Sequence, residues 1–292
     1  MASILDRYGI KEVADVTFYK INEDGSAGDP VLFLDTLKVS TIEQTAESVD
    51  ARGGKGNPKL ITWDYGKEIT VNIEDALFSP KSMSIMLGDG SVTFASAQDV
   101  THTAVLRADA SGVLPSYFTA DIYDTDTKGA ARKKVYIGSS TTPQGMVSLA
   151  SSGITLKTAV GEDGTSIDST LTNAELQGAA ASAAWSSHLA GGKKVFITYT
   201  VKATTKTIVV SGDTFPGTYY VQGDTYARSD VDGSDQFFQF IIPKAKMSSE
   251  NTITLEAEGD PSTFNMNLTV LRPESGEMMK LVQYDLEAPG QG

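Results

Sequence analysis

The fold is decided by residues 37–79, which read LKVSTIEQTAESVDARGGKGNPKLITWDYGKEITVNIEDALFS. Between positions 68 and 74, Ile69, Val71 and Ile73 alternate strictly with polar residues. An alternation with period two predicts a strand that buries one face and leaves the other in water. Residues 60–64 are also strand-like, and Tyr65-Gly66 resembles a turn. These features together predict a hairpin with one wet face.

Residues 44–59 differ from this pattern because they contain the run Arg52-Gly53-Gly54-Lys55-Gly56-Asn57-Pro58 and few apolar side chains. We therefore predict a long, flexible loop in this stretch. Long loops without secondary structure are uncommon in compact domains and are usually functional or disordered. The Gly-Gly-Lys-Gly run lacks the spacing of a phosphate-binding loop, so we interpret it as a mobile loop.

The rest of the chain predicts further strands and little helix. Ser79-Pro80 is a typical helix start and Gly88 a typical stop, so a short helix is expected between them. Residues 194–201 and 264–271 alternate as strands do. Residues 93–192 are rich in Ala, Ser, Thr and Gly, and residues 173–189 are their one clearly helical stretch.

The sequence therefore predicts a mainly β protein with a short helix after Ser79 and an inserted or elaborated middle section. The predicted division is residues 1–92 for the first part of the core, 93–192 for the middle section and 193–292 for the second part of the core.

Composition excludes several classes of function. The chain has 292 residues, 24 Lys and Arg against 37 Asp and Glu, a net charge of −13, two histidines and no cysteine. An acidic chain offers few partners for phosphates, so nucleic-acid binding is not expected as its main task. No apolar run approaches the roughly 20 residues that span a bilayer, and the first residues do not resemble a signal peptide. No hydrolase or metalloprotease motif is present. We predict that the chain is not an enzyme and uses no metal or cofactor.

Two segments resemble the major tail tube proteins of long-tailed bacteriophages. The first is residues 37–79, with its strand, glycine-rich stretch, hairpin and short helix. The second is residues 212–284, which contain the turns FPGTY (215–219) and GDPSTF (259–264) among closing strands. The middle section has no obvious counterpart in the compact core of that family.

The resemblance implies that the core is a β-sandwich or barrel with a flanking short helix. Six copies would join their strands into a ring whose inner wall is a continuous β-barrel, and rings would stack into a tube through which DNA passes. It also implies a place in the virion tail after synthesis in the host cytoplasm. The expected partners are the chain itself and other tail proteins such as a sheath, a tape measure and a terminator, while DNA passes without specific binding.

Site residues follow from the same resemblance. The candidates for an inter-subunit loop are Arg52, Gly53, Gly54, Lys55, Gly56, Asn57, Lys59 and Lys67. The candidates for an acidic wall of the lumen are Glu68, Glu74 and Asp75. We expect the middle section to face outward. The alternative that stays open is a capsid cement or decoration protein, or another β-rich structural protein of the virion.

Overall fold

A computed structural model describes residues 7–10, 12–124, 127–231, 233–253 and 263–284. The first part of the chain contains β1 (Tyr8–Ile10), β2 (Asp15–Ile21), β3 (Ala27–Leu34), β4 (Leu37–Arg52), β5 (Lys59–Asp75) and α1 (Pro80–Leu87). The middle contains β6 (Thr93–Arg107), β7 (Tyr117–Asp124), β8 (Gly129–Tyr136), β9 (Val147–Ser148), a 3-10 turn (Leu149–Ser151), β10 (Ile154–Gly161), β11 (Ser166–Asp168), α2 (Asn173–Ala181), α3 (Ser186–Leu189) and β12 (Lys194–Thr207). The last part contains β13 (Thr218–Ser229), β14 (Asp235–Met247), β15 (Phe264–Val270) and β16 (Lys280–Tyr284). The prediction of a mainly β fold is confirmed.

The chain forms two compact units. Unit 1 consists of residues 1–93 and 207–292, and unit 2 consists of residues 94–206. Unit 2 is therefore an insertion into a discontinuous β core. The second boundary lies later than position 192 because β12 hydrogen-bonds to β10 within unit 2, from Ile154↔Val201 to Gly161↔Val195. The period-two pattern of this strand could not reveal which sheet it joins.

Unit 1 is built on an antiparallel sheet with the strand order β3-β2-β13-β14-β15-β5-β4, to which β1 adds beside β13 and β16 beside β14. One face of this sheet encloses a single hydrophobic core. Its largest fully buried members are Phe18, Ile73, Ile85, Met86, Ile242, Met247 and Met266. Strands from both ends of the order contribute to that core, so the single sheet curves around it.

Helix α1 flanks this core, as predicted. The Ser79 hydroxyl accepts a hydrogen bond from the Ser82 amide, and the Ser82 hydroxyl accepts one from the Ser79 amide, which is a capping box. Pro80 occupies the first turn, where no amide donor is needed, and the helix ends at Gly88. Ile85 and Met86 pack into the core of unit 1.

The prediction of a long, flexible loop over residues 44–59 is wrong. Strands β4 and β5 pair continuously from Leu37↔Asp75 to Arg52↔Lys59, and only residues 53–58 lie between them. Tyr65-Gly66 is no turn either, because β5 runs through it. The register shifts there, and Gly66 has φ +62°. The extra residue forms a bulge, for which a glycine at positive φ is favoured.

Unit 2 has its own core and two small sheets. The four-stranded sheet has the order β11-β10-β12-β6, and the three-stranded sheet has the order β7-β8-β9. The helix predicted over residues 173–189 is divided into α2 and α3, and Thr172 caps α2 together with Glu175. Ile137, Leu149, Leu176, Leu189 and Ile197 are fully buried in this core. The turn that contains residues 259–262 lies outside the described residues.

Because unit 2 has its own core, we expect unit 1 to fold without it. The Thr205 hydroxyl lies 3.5 Å from the Ala95 carbonyl oxygen, so the two ends of unit 2 run side by side and a short linker can replace residues 94–206. The shortened chain should unfold in one cooperative thermal transition followed by circular dichroism. A deletion of residues 117–136 alone serves as the control, since it opens the core of unit 2 and should broaden or lower the transition. Loss of cooperative unfolding in the shortened chain would contradict the division.

Candidate assembly site

The sheet of unit 1 ends in two strands, β3 and β4, for which the described part of the chain provides no further neighbour on the outer side. The free side of such a strand presents unpaired amide and carbonyl groups that can pair with another chain. Phe33 on β3 is 58% exposed and Val39 on β4 is 43% exposed. A long edge with exposed apolar side chains is a surface suited to association.

Strands β4, β5 and β15 share an exposed polar face opposite the core, which we call the acidic face. Cross-strand partners lie on one face of a sheet, and the register aligns Glu74 with Val39 and Asn265, and Thr70 with Glu43 and Thr269. The members are Val39, Thr41, Glu43, Thr45, Glu68, Thr70, Asn72, Glu74, Asn265, Asn267 and Thr269. Three of these side chains are glutamates and none is Lys or Arg, and Lys246 of β14, which pairs with Thr269, lies at the border of the face.

Of the acidic candidates, Glu68 and Glu74 belong to this face and Asp75 does not. Asp75 is 2% exposed. Its Oδ1 accepts hydrogen bonds from the Thr36 hydroxyl at 2.6 Å and the Leu77 amide at 3.2 Å. Asp75 lies two positions from Ile73 and so shares the core side of the strand. Its carboxylate ties the end of β5 to the link between β3 and β4.

Beyond the residues that pair with β15, strands β4 and β5 continue as a two-stranded arm, residues 46–67. On one side of the arm, Asp50 Oδ2 lies 2.8 Å from Lys59 Nζ and 3.2 Å from Arg52 Nη2. The Thr62 hydroxyl donates to Asp50 Oδ1 at 2.8 Å. The hydrogen bonds from Lys59 and then Thr62 hold the pKa of the Asp50 carboxyl below its usual range. Two of the basic candidates are therefore paired within their own chain.

The tip of the arm contains the remaining loop candidates except Lys67, which follows Gly66 at the base of the arm. Gly54 and Gly56 both have φ +85° and Asn57 has φ +50°, backbone conformations that favour glycine and asparagine. The Gly53 amide donates to the Pro58 carbonyl, and the Asn57 amide to the Gly54 carbonyl. Lys55 and Lys67 are exposed. The glycines thus serve a tight, hydrogen-bonded tip.

Sequence reasoning missed the apolar side of the arm. Val49, Ile61, Trp63 and Tyr65 are 52–53% exposed. Val49 pairs with Trp63, Ala51 with Ile61, and Glu47 with Tyr65, so these side chains share one face. The signal was present in the alternation of Ser48, Val49, Asp50 and Ala51, but the glycine run beside it suggested a loop.

We predict that Asp75 is needed for the fold and Glu68 is not. Asp75→Ala removes a buried carboxylate and leaves the Thr36 hydroxyl and the Leu77 amide, both in part-buried hydrogen bonds, without their acceptor, which should lower the free energy of unfolding by about 1–3 kcal/mol. Glu68→Ala, at an exposed position, should change it by less than about 0.5 kcal/mol. Urea titration followed by circular dichroism measures both values. Equal effects of the two substitutions would contradict the structural role of Asp75.

Neither a metal-binding cluster nor a membrane-crossing helix characterises this surface. Among the described residues, no group of three or more His, Cys, Asp or Glu side chains is placed to hold a metal ion. In the same part of the chain, no helix has the length and apolarity needed to cross a membrane. What the surface offers is open strand edges, an acidic face and an amphipathic arm.

Comparison with known proteins identifies the family. The model of the YomU/Tube protein family matches residues 8–160 and residues 130–283. No curated protein matches the chain. The two matched segments together span most of the sequence and include residues 8–93 and 207–283 of unit 1, with its open edges and acidic face. The chain therefore belongs to the YomU/Tube protein family, a family of structural tube proteins.

Proposed function

We propose that this chain is a virion structural protein that assembles into stacked hexameric rings, which form the tail tube of a long-tailed bacteriophage and conduct DNA during ejection. The observation that carries the proposal is the sheet of unit 1, which ends in two open edges and has an acidic face on β4, β5 and β15, with Lys246 of β14 at its border. Membership of a tube protein family supports it.

The open edges give the rings a physical basis. Strands β3 and β4 are the two different ends of the sheet, so a contact between β4 of one copy and β3 of the next is head-to-tail. Head-to-tail contacts generate a closed ring when the rotation between copies closes. Each copy in the ring would cover the exposed edge of its neighbour, which removes the hazard of uncontrolled strand pairing.

The acidic face suits the wall of a DNA conduit. Proteins bind DNA largely by placing Lys and Arg against phosphates. A wall that presents Glu43, Glu68 and Glu74 among Thr and Asn side chains offers few such partners, with Lys246 at its border, so DNA would slide past it without being held. Glu68 and Glu74 remain our candidates for the lumen.

Unit 2 would lie on the outside of the tube. It has its own core, and a lumen of fixed bore leaves no room for an additional domain of about a hundred residues. In the assembled tail we expect contacts with other tail proteins, such as a sheath, a tape measure or a terminator. The site of action is then the virion, and the chain is made in the host cytoplasm.

Negative-stain electron microscopy of the purified protein tests the proposal. We expect rings and tubes from the wild-type chain. Phe33→Lys places a charge at the exposed edge of β3 and should abolish rings and tubes while leaving the melting temperature unchanged, because this side chain is outside the core. Phe33→Tyr is the matched control and should assemble normally.

Two results would contradict the proposal. Trimers that bind capsids would instead identify a cement or decoration protein. A wild-type chain that stays monomeric at every concentration would exclude self-assembly.

A further inference from the structure

We propose that the arm (residues 46–67) docks through its apolar face onto a second copy of this chain. The inference rests on the proposed function and changes the chemistry expected for the arm. Its sequence suggested a contact made by basic tip residues, whereas its structure points to a contact made by Val49, Ile61, Trp63 and Tyr65.

The arm is long enough to reach beyond its own unit. The last residue of β5 that pairs with β15 on the side of the arm is Thr70, opposite Thr269. From there, residues 46–52 of β4 pair only with β5 among the described strands. At about 3.3 Å per residue, these residues extend roughly 23 Å. A two-stranded ribbon of this kind is marginally stable by itself in water.

At the Gly66 bulge, the exposed side of the β ribbon changes from polar to apolar side chains. In the body of the sheet, Ile69 and Val71 face the core, and Thr45 and Glu68 pair on the exposed face. Two positions further along β4, Glu47 pairs with Tyr65. Alternate residues of one strand share a face, so Tyr65 lies on the same side of the ribbon as Glu68. The exposed side is therefore polar in the body and apolar in the arm.

The opposite side of the arm is mainly polar, and the exposed apolar side chain of Leu60 lies near the tip, beside Gly53. Asp50 there accepts the Thr62 hydroxyl and pairs with Arg52 and Lys59. Ser48 and Asp64 are polar and exposed. This side is suited to water, and the apolar face is the side on which burial lowers the free energy.

The near absence of charge on the apolar face favours a second copy of this chain, rather than DNA or a lipid surface, as its partner. Among the six side chains of the apolar face (Glu47, Val49, Ala51, Ile61, Trp63, Tyr65), Glu47 is the single charge. DNA and anionic lipid surfaces are attracted by Lys and Arg, which this face lacks. Copies that each carry −13 repel one another through their charged surfaces, and an almost uncharged face avoids that repulsion.

The buried area that a specific interface needs is larger than the arm face can supply, which points to the open edge of β4 as a second contact surface. A buried aromatic side chain removes about 150–250 Å² from water, so half-exposed Trp63 and Tyr65 each keep roughly 100 Å² to bury. A specific interface buries about 800 Å² on each partner. The arm face supplies part of this area, and the free edge of β4, which continues into the arm, is the adjoining surface that can supply the rest.

Tryptophan fluorescence tests the inference on the unaltered chain. The protein has two tryptophans. Trp185 is 9% exposed in the core of unit 2, whereas Trp63 is 53% exposed on the arm. Acrylamide should quench Trp63 in the monomer, and assembly should abolish that quenching and shift the emission to shorter wavelength. Assembled rings whose fluorescence is quenched as in the monomer would overturn the inference and leave the proposed function standing.

A pair of adjacent substitutions provides the second test. Val49→Lys places a cation on the apolar face, and Ser48→Lys places the same charge on the polar face, opposite Asp64. Val49→Lys should abolish assembly, whereas Ser48→Lys should assemble like the wild type, both with unchanged melting temperature. Normal assembly of Val49→Lys would overturn the inference. A wild-type chain that never assembles would overturn the proposed function and this inference together.

Discussion

The rest of the structure depends on backbone hydrogen bonding at the edge of one sheet. Strand β4 is satisfied by β5 on its inner side, and the described residues place no strand on its outer side. Unpaired amide and carbonyl groups in water are tolerated, but a row of them beside exposed apolar side chains invites pairing with another chain. Phe33 on β3 and Val39 on β4 are exposed apolar side chains of this kind, although β4 also carries the exposed charges of Lys38, Glu43 and Glu47. Such an edge promotes uncontrolled strand pairing in a monomer, whereas in a ring a neighbouring copy can cover it.

The Gly66 bulge connects this edge to the arm. An extra residue in β5 shifts the register while β4 continues in phase. The alternation in the body serves the core of a single copy, through Ile69, Val71 and Ile73. Beyond the bulge, the apolar side chains lie on the other side of the ribbon. One hairpin thus combines a segment that stabilises its own unit with a segment directed at a neighbour.

The structural features that could be predicted from the sequence are those that depend on residues close together in the chain. Ser79, Pro80 and Gly88 act within one or two turns, and helix α1 follows from them. The position of Asp75, two residues from Ile73, already indicates the core side of the strand, where the structure buries this side chain. The arm was missed because its strands lack buried apolar residues, the usual signature of a strand. The boundary near position 206 depends on which sheet β12 joins, a long-range pairing that its alternation does not encode.

Hydrogen–deuterium exchange at the amides of β4 tests the central claim most directly. Those amides that do not donate to β5 should exchange rapidly in the monomer. After assembly the account predicts strong protection along Leu37–Arg52, because a neighbouring copy pairs with the open edge. The same experiment on the amides of unit 2 should show little change. Rapid exchange at the outer amides of β4 within assembled particles would show that the edge stays open and would contradict the account.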